Sequence, residues 1–229
     1  MSTTLSVSTT RLNDVKRIGT GAAFILFPLL FVFAFAVHPG LLNPHRLSDT
    51  QLILRMHHDA LLAFGHVLVL FDAVILIVVT FQIMKILDRT TAAWAGFIGA
   101  GLTVLSAIAL GAEKGAECLT MSALDTLPEN QFTQMMPGLL AIFSHQGWMI
   151  LVMGVMLLAV GLSIQAIGLL VTNAIPRWQS ALLFGVWLMG WPDGEEIFAL
   201  VGSILLVVAL VPLGIRFLSR EKPKVKDPA

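Results

Sequence analysis

The chain has 229 residues, of which 57% are hydrophobic and 12% charged, with formal net charge zero. A soluble domain of this length carries about 25% charged residues, so this composition excludes an ordinary water-soluble globule. It also excludes a nucleic-acid binder, because no basic face is large enough. The single cysteine, Cys118, cannot form an internal disulfide.

A membrane-crossing helix needs about 20 mostly apolar residues. The first such run is Ile18–Val37. Arg11, Lys16 and Arg17 precede it, and Ala34-Phe35-Ala36 has the form of a signal-peptidase site. The run is too long for a signal core, so it is expected to stay as a span; cleavage of residues 1–36 would leave five spans. Further runs cover Ala60–Leu87, Ala92–Ala112, Gly147–Val171, Trp178–Trp191 and Ile197–Ile215. The expected fold is an all-α integral membrane protein, a bundle of six transmembrane helices. Residues 1–17 form an N-terminal segment, 18–217 a single transmembrane domain, and 218–229 a basic tail.

Lys and Arg are spread unevenly. With the N-terminus inside, only Arg46, Arg55 and Lys114 fall outside, and the other eleven of the 14 fall inside. This bias predicts both termini in the cytoplasm and location in the inner membrane. Ser48 and Gln51 have capping-box spacing in the first outer loop, predicting a short helix there. Residues 113–146 form the largest piece expected outside the bilayer.

Small residues mark packing faces. Gly147, Gly154, Gly161 and Gly168 recur every seven residues, and Gly96, Ala100, Thr103, Ala107 and Gly111 form a second small-residue face. Such stripes let backbones approach closely, within the bundle or against a membrane protein partner or a second copy. Besides these, the bilayer itself is the expected partner.

All six histidines fall on the expected outer side: His38, His45, His57, His58, His66 and His145. His38, His45 and His57 read as ordinary interfacial residues. His66 lies about 12 Å deeper than His58 at the helical rise, inside an apolar run. Asp59 and His66 share a helix face, as do Glu113 and Glu117, with Lys114 able to neutralise part of the charge. The run Trp178–Asp193 spans about 22 Å of a roughly 30 Å core, so its outer turn, with Glu195, is expected to dip toward His66. These placements suggest an outward pocket formed by His58, His66, Glu113, Glu117 and His145. Imidazole and carboxylate together suit a divalent metal, although no spacing matches a metal motif. A haem between His66 and His145 would need matched depths, which the run boundaries do not give.

Asp72 sits near the middle of the second run, and an intramembrane carboxyl is a candidate proton carrier. Nucleotide loops, nucleophile elbows and dinucleotide fingerprints are absent from the sequence. Three functions are compatible with this reading: a noncatalytic membrane subunit or scaffold joined through its glycine faces, a membrane-embedded enzyme using the His/carboxylate pocket on a lipidic substrate, and a small proton-coupled transporter using Asp72. With no motif specifying chemistry, the scaffold ranks first.

Overall fold

In a computed structural model, residues 3–38, 41, 47–143, 149–189 and 196–219 are described, and all their regular structure is helical. Five helices carry segments long and apolar enough to cross a membrane: α1 (Thr3–Ala36), α3 (Ala60–Leu87), α4 (Ala93–Leu124), α7 (Met149–Thr172) and α10 (Glu196–Leu218). Short helices α2 (Asp49–Met56), α5 (Glu129–Gln134) and α6 (Met136–Phe143) lie between them, as do α8 (Arg177–Leu182) and α9 (Val186–Met189). Large apolar side chains face outward along the long helices, among them Phe97 at 74% exposed, Val171 at 65% and Phe71 at 62%. Outward apolar side chains of this kind suit a hydrocarbon surrounding.

Glycine sets the helix spacing. A Cβ on Gly161 of α7 would lie 2.8 Å from the carbonyl oxygen of Gly99 and 2.8 Å from the amide of Thr103, both backbone atoms of α4. Gly154 faces Ala109, and Gly168 faces Ala95. The two helices therefore run antiparallel in near backbone contact. The glycine stripe packs α7 on α4 inside the chain, which removes the basis for reading it as a partner interface; Gly147 lies outside the described residues. Gln165 locks the same seam. Its amide donates to the Thr80 and Gly96 carbonyls at 3.0 and 3.4 Å, and its oxygen accepts from the Thr80 hydroxyl at 3.0 Å.

The first and last helices pack together in the same manner. Gly21 and Gly214 face each other, each Cβ position lying within 3 Å of the other's carbonyl oxygen, and Phe24 stacks on Phe217 with ring centres 5.6 Å apart. The Arg17 guanidinium donates to the carbonyls of Phe217 and Leu218 at 3.1 and 2.7 Å. The start of the first apolar segment and the close of the last thus share one end of the bundle. Lys16, Arg17, Lys85 and Arg216 line a cavity there.

Two sequence expectations are corrected. The third run was read as ending at Ala112, but α4 continues to Leu124. Glu113, Lys114 and Glu117 pair along that helix; polarity marked where apolar character stops, not where the helix stops. At about 48 Å, α4 exceeds the roughly 30 Å hydrocarbon core and carries a cap. The run 178–191 was read as one helix. It is broken into α8, a 3-10 turn at Leu183–Gly185 and α9, with residues 190–195 outside the described set.

The cap covers the end opposite Arg17. The Ser48 hydroxyl accepts from the Gln51 amide and the Gln51 side chain accepts from the Ser48 amide, the capping box that starts α2. Ile53 and Met56 of α2 then bury with Met121 and Leu124 of α4, Phe132 of α5 and Leu139 of α6 in a small core separate from the main one. This core holds α2, α5 and α6 over the polar cluster beneath.

Candidate functional site

α3 brings His66 into that cluster. Asp59 caps the helix by accepting from the amides of Leu61 and Leu62 at 3.1 and 2.9 Å, so its carboxylate is committed to the backbone. Two turns on, His66 is 8% exposed, and its Nδ1 lies 3.2 Å from Glu117 Oε1 on α4. The Lys114 ammonium, one turn before Glu117, donates to its second oxygen at 2.7 Å and lies 3.8 Å from Glu113 Oε1. Histidine, carboxylate and lysine thus form one chain of contacts. A buried carboxylate needs such partners to offset its lost hydration.

His38, just past α1, joins from the other side. Its ring centre is 6.3 Å from that of His66. His38 Nδ1 lies 3.1 Å from Glu196 Oε1 at the start of α10, without hydrogen-bond alignment. Burial lowers the His38 pKa to about 4; Lys114 adds to the lowering, while Glu117 and Asp59 oppose it. The ring is therefore neutral at pH 7.

Two cavities meet at this cluster, and His38, His66, Glu113 and Lys114 line both. One, of about 230 Å³, is walled by Phe31, Phe35, Val69, Leu110, Leu158 and Val186 and is apolar below the cluster. The other, of about 240 Å³, adds Glu117, Thr120, Met56, Met121, Ile142 and Glu196 and lies beneath the cap.

Of the residues expected in one pocket, the structure brings His66, Glu113 and Glu117 together. His145 and Glu195 lie outside the described residues. His58 is drawn elsewhere, into a second cluster at the cap. His57 Nδ1 donates to Asp125 Oδ1 at 2.8 Å, its Nε2 lies 3.5 Å from Glu129 Oε2, and His58 Nδ1 is 3.8 Å from Asp125 Oδ1. The His57 ring is sandwiched between Phe132 and His58, with centres 3.7 and 3.9 Å away. His38 and His57 had been read as interfacial; their partners lie far along the chain, and no local spacing announces them.

Asp72 is wholly buried, and neither carboxyl oxygen has a hydrogen-bond partner among the described residues. It lines neither of the two cavities that meet at His66.

No family model matches the chain, and no curated protein or solved structure is detectably similar to it.

Proposed function

We propose that the protein crosses the cell inner membrane six times and houses an acid–base centre for an amphipathic substrate taken from the outer leaflet. α7 ends level with the α3–α4 turn, since Gly168 meets Ala92 and Ala95. α10 begins at the opposite end, beside His38. The chain between them passes from one end to the other, which supports a sixth crossing through the broken segment around α8 and α9. The cations at the Arg17 end support a cytoplasmic position for that end, with the cap facing outward.

The observation that carries the reading is that His66, Glu113 and Lys114 line two adjoining cavities, with Glu117, held by Lys114 and 3.2 Å from His66, lining the one beneath the cap. Glu117 Oε1 stands 3.2 Å from His66 Nδ1, so a proton on Nδ1 would face the carboxylate and leave Nε2 to take a proton from a bound molecule. Lys114 is committed to holding Glu117 and Glu113. The hydrocarbon part of a substrate enters the apolar cavity while its polar part meets His66. Glu113 and Glu117 share the single Lys114 ammonium, which favours a neutral or cationic head over an anionic one. Together the cavities reach the size of small-molecule sites, about 300–1,000 Å³.

The scaffold reading loses its surface, because the glycine stripe is consumed inside the chain. The transporter reading would need a route to Asp72, which neither cavity supplies.

Thermal stabilisation of the purified protein by single-chain alcohols, amines and fatty acids tests the proposal. Alcohols or amines should stabilise the wild type, with Leu158→Trp, which fills the apolar cavity, abolishing the effect. Lipid profiles of cells making wild type or His66→Gln should differ in one amphiphile class. Equal stabilisation of Leu158→Trp, or a preference for fatty acids, would sink it.

A further inference from the structure

We infer that His57, His58 and Asp125 form a binding site for a divalent transition-metal ion of the zinc class, separate from the chamber at His66. One nitrogen from each ring and one carboxylate oxygen lie within 4.8 Å of one another. Ligands on a tetrahedral zinc ion, with bonds of about 2.0–2.2 Å, stand about 3.4 Å apart. The donors need only small side-chain rotations to close on an ion. His58, 60% exposed, is free to make them, while His57, 5% exposed, is held by its rings of contact.

Local folding explains why consecutive histidines face one carboxylate. His57 caps the end of α2 in extended backbone. His58 has φ of 60°, in the left-handed region, and its amide donates to Asp125 Oδ1 at 3.0 Å. That turn sets the two rings side by side instead of on opposite faces. Asp125 ends α4 and Glu129 opens α5, so a carboxylate stands at each nitrogen of His57. Whichever nitrogen binds the ion, the other has a carboxylate to receive its proton, the arrangement that orients metal-bound imidazoles. His57 Nε2 is buried with no hydrogen-bond partner among the described residues, so the ring has capacity to spare. Two nitrogens and one oxygen suit zinc, with a fourth position left for water or Glu129. The chamber at His66 is the poorer metal site, because the Lys114 ammonium already occupies the carboxylates there.

The test uses the full-length protein, purified in detergent and stripped with chelator. Zinc is titrated calorimetrically, and cobalt serves as an absorbing stand-in. The expected result is one zinc per chain at micromolar concentration or below, a four-coordinate cobalt spectrum, and a zinc-dependent rise in Tm. His58→Asn keeps a residue type that tolerates left-handed backbone, so its Tm in chelator should equal that of wild type. Its zinc affinity should fall by tenfold or more. Glu129→Gln should lose several-fold, and His66→Gln should bind as wild type does. Absence of stoichiometric zinc, unchanged affinity in His58→Asn, or loss of zinc in His66→Gln would each overturn the assignment.

Discussion

Replacing Gly161 by alanine asks whether α4 and α7 touch through their backbones. The added carbon would sit 2.8 Å from the Gly99 carbonyl oxygen and the Thr103 amide, where ordinary contact begins at 3.4 Å. α7 must therefore lift by about 0.6 Å, and neither obstructing atom can rotate away. A gap of 0.5–1 Å forfeits roughly a quarter to a half of each dispersion contact along the seam. Overpacking of this kind costs about 1–3 kcal/mol, and backbone obstruction puts this site at the upper end. Alanine recovers up to about 1 kcal/mol of helix propensity over glycine, so clash exceeds propensity. Gly101→Ala isolates the second effect, because nothing lies within 4 Å of a Cβ there. At about 2–4 °C per kcal/mol for a chain of this size, Gly161→Ala should melt about 5–10 °C below Gly101→Ala in detergent. Equal melting of the two variants would refute backbone contact at Gly161.

Gly154 meets only the Ala109 methyl, at 2.6 Å; Gly154→Ala should therefore destabilise, and adding Ala109→Gly should restore the melting temperature. Asp72→Leu removes two buried oxygens that have no hydrogen-bond partner among the described residues; it should raise stability by about 1–3 kcal/mol, and a fall in denaturation midpoint would show that the carboxyl has a stabilising partner. The lowered pKa of His38 means the unfolded chain binds the proton more tightly. Its contribution is present above about pH 6.5 and is lost as pH falls toward 4. Melting curves across that window should flatten in His38→Gln relative to wild type.

The long helices were legible because hydrocarbon imposes a length of apolar sequence that nothing else requires. The glycine period showed that α7 has a close-packing face, and the Ser48–Gln51 spacing showed where α2 begins. Glu113 and Glu117 could be aligned because helix periodicity is local. Partner choice was not legible. His66 finds Glu117 on the next long helix, but His38 finds Glu196 across nearly the whole chain, and His57 finds Asp125 on the far side of two helices. The break at Leu183–Gly185 was hidden for a related reason. Its residues are as apolar as a continuous helix, and Gly185 there packs closely on Leu205 and the Gly202 carbonyl of α10, far along the chain.

The Arg17 clasp has a consequence for biosynthesis. α1 leaves the ribosome before α10, which completes its glycine and phenylalanine face. Until residue 218 has been made, α1 packs chiefly on α3 among the described residues. Burial of Gly21 and Phe24 against their final neighbours therefore waits for the synthesis of α10, and closure of the ring of helices follows it. A chain truncated before Gly214 should insert its earlier helices yet leave α1 open to other membrane proteins or to proteolysis, and α10 supplied as a separate polypeptide should close it.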